Sequence, residues 1–133
     1  MAYLIDEKLP NHIIVEQIDD LNRKLIDTKE KTITYETLYK AHKLHEYCIW
    51  LANKLDGPAE IHYFDDFKTI NREIYYYKGS IHKIDGPAWV SYLQDGEICY
   101  ERYLVDNISC DNELQFLVAI ENFKNKEEEF FLE

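Results

Sequence analysis

Glycine, proline and cysteine are scarce in this chain of 133 residues: four, three and three, beside a single methionine. So few glycines leave little room for a phosphate-cradling loop, a dinucleotide fingerprint or a nucleophile elbow, and none of these patterns occurs. The cysteines, Cys48, Cys99 and Cys110, are odd in number and form no CxxC pair. That argues against a disulfide framework and for a reducing, cytoplasmic setting. No apolar run approaches the roughly 20 residues that cross a bilayer. The opening Met1-Ala2-Tyr3-Leu4-Ile5-Asp6-Glu7 has neither the basic segment nor the apolar stretch of a secretory signal. Positive charge is also short: 15 Lys and Arg stand against 26 Asp and Glu, a net charge of −11.

What is present describes a folded chain. Apolar residues at 46% and aromatics at 14% exclude wholesale disorder, and the length suits one domain, 1–133. The negative charge is uneven. Residues 1–55 carry 9 acids and 8 bases, a net of −1; residues 56–110 carry 10 and 5, and residues 111–133 carry 7 and 2, each a net of −5. Such a surface repels phosphate backbones and anionic membranes, so direct binding to nucleic acid or membrane is not expected. A protein with a basic surface is the matching partner.

The N-terminal part reads as helical. Ile14, Ile18, Leu21 and Leu25 recur at steps of four, three and four, which predicts a helix over about 10–29, with Pro10 in its first turn; a short strand at Ile13-Ile14-Val15 is the rival. After the polar break Lys29-Glu30-Lys31-Thr32, Thr34 is placed to cap a second helix running to about Asn53. Its face holds Leu38, Ala41, His45, Cys48 and Ala52. Beyond Gly57 the period changes to two. Runs at 59–64, 70–77, 88–93 and 98–105, separated by turn pairs, predict an antiparallel meander of four or five short strands. Asp111 then caps a last helix holding Leu114, Phe116, Leu117, Ile120 and Phe123, and the acidic run 126–132 is a frayed tail or a docking peptide. The expected fold is α+β: a helical pair over 1–54, two hairpin repeats over 55–109, and a C-terminal helix with an acidic tail over 110–133.

The sequence is duplicated in its middle. Asn53-Lys54-Leu55-Asp56-Gly57-Pro58-Ala59 aligns with His82-Lys83-Ile84-Asp85-Gly86-Pro87-Ala88 at an offset of 29, as do Tyr63 with Tyr92 and Asp66 with Asp95. Tyr75 with Tyr103 and Gly79 with Asn107 follow at an offset of 28. Gly57 and Gly86, each before a proline, are set for extended backbone, and Pro58 and Pro87 fix φ at a strand start. Asp56 and Asp85 are placed to accept backbone N–H groups in turns. His82 stands three residues before Asp85, but its counterpart is Asn53, so a hydrogen-bonding turn role is read rather than a catalytic base. In these residues, above all Tyr77-Lys78-Gly79-Ser80-Ile81-His82-Lys83-Ile84-Asp85-Gly86-Pro87-Ala88, the chain resembles degenerate MORN-type repeats with an NGK-x-H-R-x-DGPA core. It departs from them at Asp66-Phe67, Asn107 and Asn53. The resemblance covers about residues 50–109. It implies a twisted sheet of hairpins, an origin in bacteriophages or bacteria (the host cytoplasm if phage-encoded), and no catalytic residue.

Chemistry-bearing constellations are thin. His42 and His45 lie three apart beside Glu46, with His12 elsewhere, and two such histidines could share a metal; a packed or exposed pair is the commoner reading, and no metal or cofactor is assigned. The acid pairs Asp19-Asp20, Asp65-Asp66 and Asp95 with Glu97 lack EF-hand spacing and suit turns. Seven of 11 tyrosines fall in residues 63–103. Tyr63, Tyr75, Tyr76, Tyr77, Tyr92, Tyr100 and Tyr103, with Trp89, Glu97 and Glu101, are read as an acidic, tyrosine-rich sheet face for protein binding, since aromatics give contact area at low entropic cost. The expected function is non-enzymatic: a phage-encoded inhibitor or regulator that binds a basic host or phage protein, through charge mimicry of nucleic acid where it occupies such a site. The alternative is sequestration of a nucleotide or metabolite in an aromatic pocket, which requires Lys68, Arg72, Lys78, Lys83 and Arg102 to converge. Exposed meander edges leave a homodimer by sheet extension open.

Overall fold

From Asn22 to Glu36, burial alternates with a period of two rather than three to four: Arg23, Leu25, Thr32, Thr34 and Glu36 point inward and their neighbours outward. That is the signature of strands. The computed structural model describes residues 2–4, 8–41 and 47–132. Its strands are β1 (Ala2–Leu4), β2 (Ile13–Gln17), β3 (Asn22–Asp27), β4 (Thr32–Ala41), β5 (Tyr47–Ala52), β6 (Glu60–Tyr63), β7 (Ile70–Ile74), β8 (Tyr76–Tyr77), β9 (Ser80–Ile81), β10 (Trp89–Tyr92), β11 (Ile98–Val105) and β12 (Ile108–Cys110). One helix, α1 (Glu113–Leu132), is found among the described residues.

The expected N-terminal helical pair is therefore wrong, and with it the α+β class: the protein is mostly antiparallel sheet with a C-terminal helix. The β-branched runs Ile13-Ile14-Val15 and Thr32-Ile33-Thr34 prevail over the helical spacing, because their side chains fit a pleated surface better than a helical turn. Ile14, Ile18 and Leu21, the supposed buried stripe, are exposed, and only Leu25 of the four is in the core. Thr34, the supposed helix cap, is a buried mid-strand residue, 4% exposed. The polar break at 29–31 does turn the chain: Asp27 Oδ1 accepts from the N–H groups of Lys29 and Glu30, and Lys31 takes φ 54°.

Every pairing is antiparallel, in the order β1-β5-β4-β6-β7-β10-β11-β12, with β3 on the other edge of β4 and β2 outside β3; β8 and β9 form a separate ribbon. Strand β4 carries β5 and β6 on one edge. Its first half pairs with β6 (Thr34 with Glu60) and its second with β5 (Glu36 with Ala52). Residues 53–59 must therefore turn a corner and rejoin the same strand edge. The continuous run β7–β8 repeats this with β10 and β9 on its edge and corner 82–88 between them.

The two corners match bond for bond. Tyr35 N–H donates to the Ala59 carbonyl at 2.6 Å and Tyr75 N–H to that of Ala88 at 2.8 Å. Asn53 N–H donates to the Tyr35 carbonyl and His82 N–H to the Tyr75 carbonyl, both at 2.9 Å. Asn53 Oδ1 accepts from Lys78 N–H (2.8 Å) as His82 Nδ1 does from Asp106 N–H (3.0 Å). The sheet thus comprises three units: β3–β5 with corner 53–59, β6–β9 with corner 82–88, and β10–β12, which runs into α1. The Asx turns sit at Asp27, Asp66 and Asp95, at the tip of each unit's first hairpin. Among the described residues Asp56 and Asp85 accept no backbone N–H, so that expected role is corrected; Asp85 instead lies 4.0 Å from Lys83 Nζ. Corner geometry holds those carboxylates outward.

The core is thin and partly polar. Arg23 Nε donates to Glu36 Oε1 at 2.8 Å, and its guanidinium lies 4.2 Å from the centre of the Trp50 ring. Burial lifts the Glu36 carboxyl above its usual range, and the Arg23 charge only partly offsets this. At the far end α1 closes the sheet: Val105, Cys110 and Ala119 form a cluster with Phe116, Ile120 and Phe123 around it. Asn112, not Asp111, caps the helix, its Oδ1 accepting from Gln115 N–H at 2.9 Å while Gln115 Oε1 accepts from Asp111 N–H. Of the helix's apolar residues, Leu114 and Leu117 are exposed. No described helix is long and apolar enough to cross a membrane.

Ala59 and Ala88 are both 0% exposed, directly where the corners rejoin the sheet. Ala88→Leu is expected to lower stability by about 1–3 kcal/mol through overpacking, whereas Leu55→Ala at the exposed corner tip should stay within about 0.5 kcal/mol of the parent. Urea titrations of both variants measure this.

Candidate interaction surface

Alternation along the strands gives the sheet two unlike faces. On one, Tyr35, Thr37 and Tyr39 of β4 line up with Tyr75 and Tyr77 of the β7–β8 run and with Tyr103 of β11. Above this tyrosine face the corners stand as ridges. Lys54 Nζ lies 4.0 Å from the centre of the Tyr35 ring, and Lys83 Nζ 4.1 Å from that of Tyr75. Each lysine folds back over its own glycine: a Cβ on Gly57 or Gly86 would meet that Nζ at 3.7 or 3.6 Å. Leu55, 85% exposed, and Ile84, 41% exposed, occupy equivalent positions at the ridge tips.

The ridges separate clefts. Between the corners lies one of about 420 Å³, walled by Leu55, Tyr75, Tyr77, His82 and Ile84. On the outer side of the first corner is one of about 730 Å³, lined by Leu21, Tyr35, Tyr39, Lys54, Tyr77 and Lys78 among others. Burial raises the Tyr39 hydroxyl pKa, and nearby Lys78 offsets part of that.

The ten residues read from the sequence as one binding face are divided between two. Tyr75 and Tyr77 lie on the tyrosine face, Tyr77 with its ring 5.6 Å from His82 and 5.9 Å from Phe123. Tyr63 stacks on Phe67 and Tyr103 meets Phe116 edge-on. Tyr92 is there too, donating to Glu73 at 2.6 Å, and its own pKa is pushed up by burial and by that carboxylate. Trp89 and Tyr76 belong to the opposite face. Trp89 lies under the Arg72 guanidinium at 4.7 Å and donates to Ser91. Tyr76 donates to Glu60 at 2.8 Å, and burial first, then Glu60, raises its pKa. Tyr100 pairs with Ser91 and is exposed on that side. Glu97 and Glu101 are exposed. The hydroxyls of Tyr76 and Tyr92 are thus engaged within the sheet.

Other constellations resolve into local structure. His42, His45 and Glu46 lie outside the described residues. Among the described residues no three His, Cys, Asp or Glu gather to hold a metal. His82 is not oriented by Asp85: its Nδ1 serves Asp106 N–H and its ring packs 4.2 Å from Phe123. Asp19, Asp66 and Asp95 each accept a backbone N–H two residues on; the Thr69 hydroxyl first, then the N–H groups of Lys68 and Thr69, hold the Asp66 carboxyl down at about 2. The five cations that a nucleotide pocket needs do not converge. Arg72 lies on Trp89, Lys83 on Tyr75 and Lys78 5.2 Å from the Tyr77 ring, while Arg102 donates to Ser109 and Lys68 sits in an exposed turn. No family model, curated protein or solved structure matches the chain.

Tyr35 has no place in the sequence-based face, and neither does the seating of Lys54 and Lys83 over tyrosine rings. The lysines were visible as repeat positions. Tyr35 was hidden by spacing: Tyr75 precedes His82, and Tyr103 precedes Cys110, by seven residues, but Tyr35 precedes Asn53 by 18 because β4 and β5 form a longer arm.

Burial lowers the His82 pKa, and Asp106 and Glu127 restore it only in part. The unfolded chain then binds a proton before the folded chain does, so stability falls as pH drops through the ordinary histidine range near about 6.5. His82→Asn installs the residue that the first corner uses. Urea midpoints at pH 7.5 and 5.5 should fall less for this variant than for the parent; an equal fall contradicts the assignment.

Proposed function

We propose that this chain is a non-enzymatic interaction module that inhibits or regulates a protein with a basic surface, which it binds across its ridged tyrosine face. The observation that carries this reading is the pair of equivalent ridge tips. Leu55 and Ile84 present large apolar side chains to solvent beside Asp56 and Asp85, over tyrosine-walled clefts, and no core packing requires them there. An apolar anchor ringed by carboxylates suits a basic partner with an apolar centre. The net charge of −11 disfavours a polyanionic partner. The matched corners also support the MORN-like reading of the units, and with it a bacteriophage or bacterial origin and a cytoplasmic setting.

A second reading, sequestration of a small ligand, is favoured by the outer cleft, whose 730 Å³ is within the usual range for ligand sites and whose walls carry Tyr35, Tyr39 and Tyr77. Its lysines are spread over the rings, so an aromatic or uncharged ligand fits better than a nucleotide. A thermal-shift screen separates the readings: a metabolite that raises the melting temperature, with Tyr39→Ala abolishing the rise, supports sequestration.

For the interaction reading, the partner is captured by affinity purification and its dissociation constant measured with purified proteins. The double variant Leu55→Asp, Ile84→Asp should keep the parent's melting temperature and bind about tenfold or more weakly, as loss of one anchor pair implies. A partner bound equally well by the double variant contradicts this use of the face.

A further inference from the structure

Two of the three units complete their tyrosine with a lysine, and the third does not. Lys54 and Lys83 directly follow the residues, Asn53 and His82, whose N–H groups bond to Tyr35 and Tyr75. In the third unit Tyr103 pairs in register with Cys110, and the residue that follows is Asp111. An anion stands at the position where the other units carry a cation, and the chain then enters α1 instead of turning a corner. Among the described residues no cation lies over the Tyr103 ring, and the residue as a whole is 38% exposed. Phe116 flanks it edge-on with ring centres 5.1 Å apart. Tyr103, Cys110, Asp111, Asn112, Glu113 and Phe116 line a cleft of about 430 Å³.

We propose that this cleft takes a lysine side chain from the partner protein, with the ammonium on the Tyr103 ring and the Asp111 carboxylate beside it. It would reproduce between molecules what Lys54 and Lys83 do within one. The reading deepens the function proposed above and rests on it. Three features select a cation. The ring face is the negative pole of its quadrupole and is unoccupied by the chain's own lysine. Asp111 and Glu113 flank the opening, in a segment, 111–133, of net charge −5. Two N–H groups at the mouth are already taken by the chain itself, Gln115 N–H by Asn112 Oδ1 and Asp111 N–H by Gln115 Oε1, so neither is left to draw an anion. The two internal pairs make lysine the natural occupant, because the same strand position has already selected its reach twice.

The probe is a fluorescein-labelled octalysine peptide, titrated at low salt and followed by anisotropy. The parent protein should bind it, with Tyr103 and Phe116 ring protons shifting in NMR spectra. Tyr103→Leu and Asp111→Lys should each weaken binding by about tenfold or more. Asp111→Lys restores the lysine of the other units, so its melting temperature should match or exceed the parent's. Glu121→Lys, the same charge change at an exposed position of α1, should cost less than about threefold. Where Asp111→Lys fails to fold, Tyr103→Leu decides. Absent binding, or equal losses in Asp111→Lys and Glu121→Lys, overturns the proposal. The Leu55→Asp, Ile84→Asp variant should bind octalysine normally. A captured partner that needs Leu55 and Ile84 but ignores Asp111→Lys overturns the lysine site alone and leaves the wider reading standing.

Discussion

Each corner of the sheet closes on the tyrosine of the long strand whose edge it rejoins. The tyrosine gives its N–H to the alanine that ends the corner and takes the N–H of the residue that begins it, so that the five residues between are held across one residue. Everything above that point follows from it. The corner cannot drift, so its lysine must fall over the tyrosine ring and its leucine or isoleucine must point to solvent. The buried alanines allow nothing larger at the closure. Each corner also serves the next unit: Asn53 and His82 accept from turn residues Lys78 and Asp106, both at positive φ, so each turn is held by the preceding corner. Such nearest-neighbour coupling is how repeat structures accumulate stability from units that are marginal alone.

The far end shows what the device requires. After β12 no corner forms, and Tyr103 and Cys110 would be left at an open end. Helix α1 covers it through Phe116, Ala119, Ile120 and Phe123, and Lys126 reaches Asp106 at 3.1 Å. The helix is a terminal cap in the sense familiar from solenoids, apolar toward the array and acidic outside. Charge follows the same geography: residues 1–55 are close to neutral and the excess of acid lies in the repeats and the cap. At the corners of this acidic protein Lys54 and Lys83 are folded onto rings, where they mask the faces of Tyr35 and Tyr75.

How much of this was legible from the residues depends on where the pattern was local. The strands at 60–63, 70–77, 89–92 and 98–105 were plain, since turn residues and β-branched runs coincide there. The corners were plain because seven positions, five of them identical, align at one offset. The first unit was misread. Ile14, Ile18, Leu21 and Leu25 have helical spacing by coincidence, and Arg23 and Glu36, a buried ion pair, look like surface charges until the sheet brings them together. Burial of charge by pairing cannot be seen in a local window. The candidate face was half legible. Tyrosine density marked the right stretch of chain, but which face each ring occupies depends on register, and Trp89 and Tyr76 belong to the side opposite Tyr75 and Tyr77. The charge reversal from Lys54 and Lys83 to Asp111 was in the sequence throughout, and acquires meaning only once Tyr103 is seen to share the position of Tyr35 and Tyr75.

The two corners, one unit apart, are the same structure held by the same bonds. Amide hydrogen exchange on the native protein reads this directly. The N–H groups of Tyr35, Asn53 and Ala59, and those of Tyr75, His82 and Ala88, should all be protected, in matched pairs, to the level set by global unfolding. Exchange of either set at the rate of the exposed turn amides near Asp66 and Asp95, or protection of one corner without the other, contradicts it.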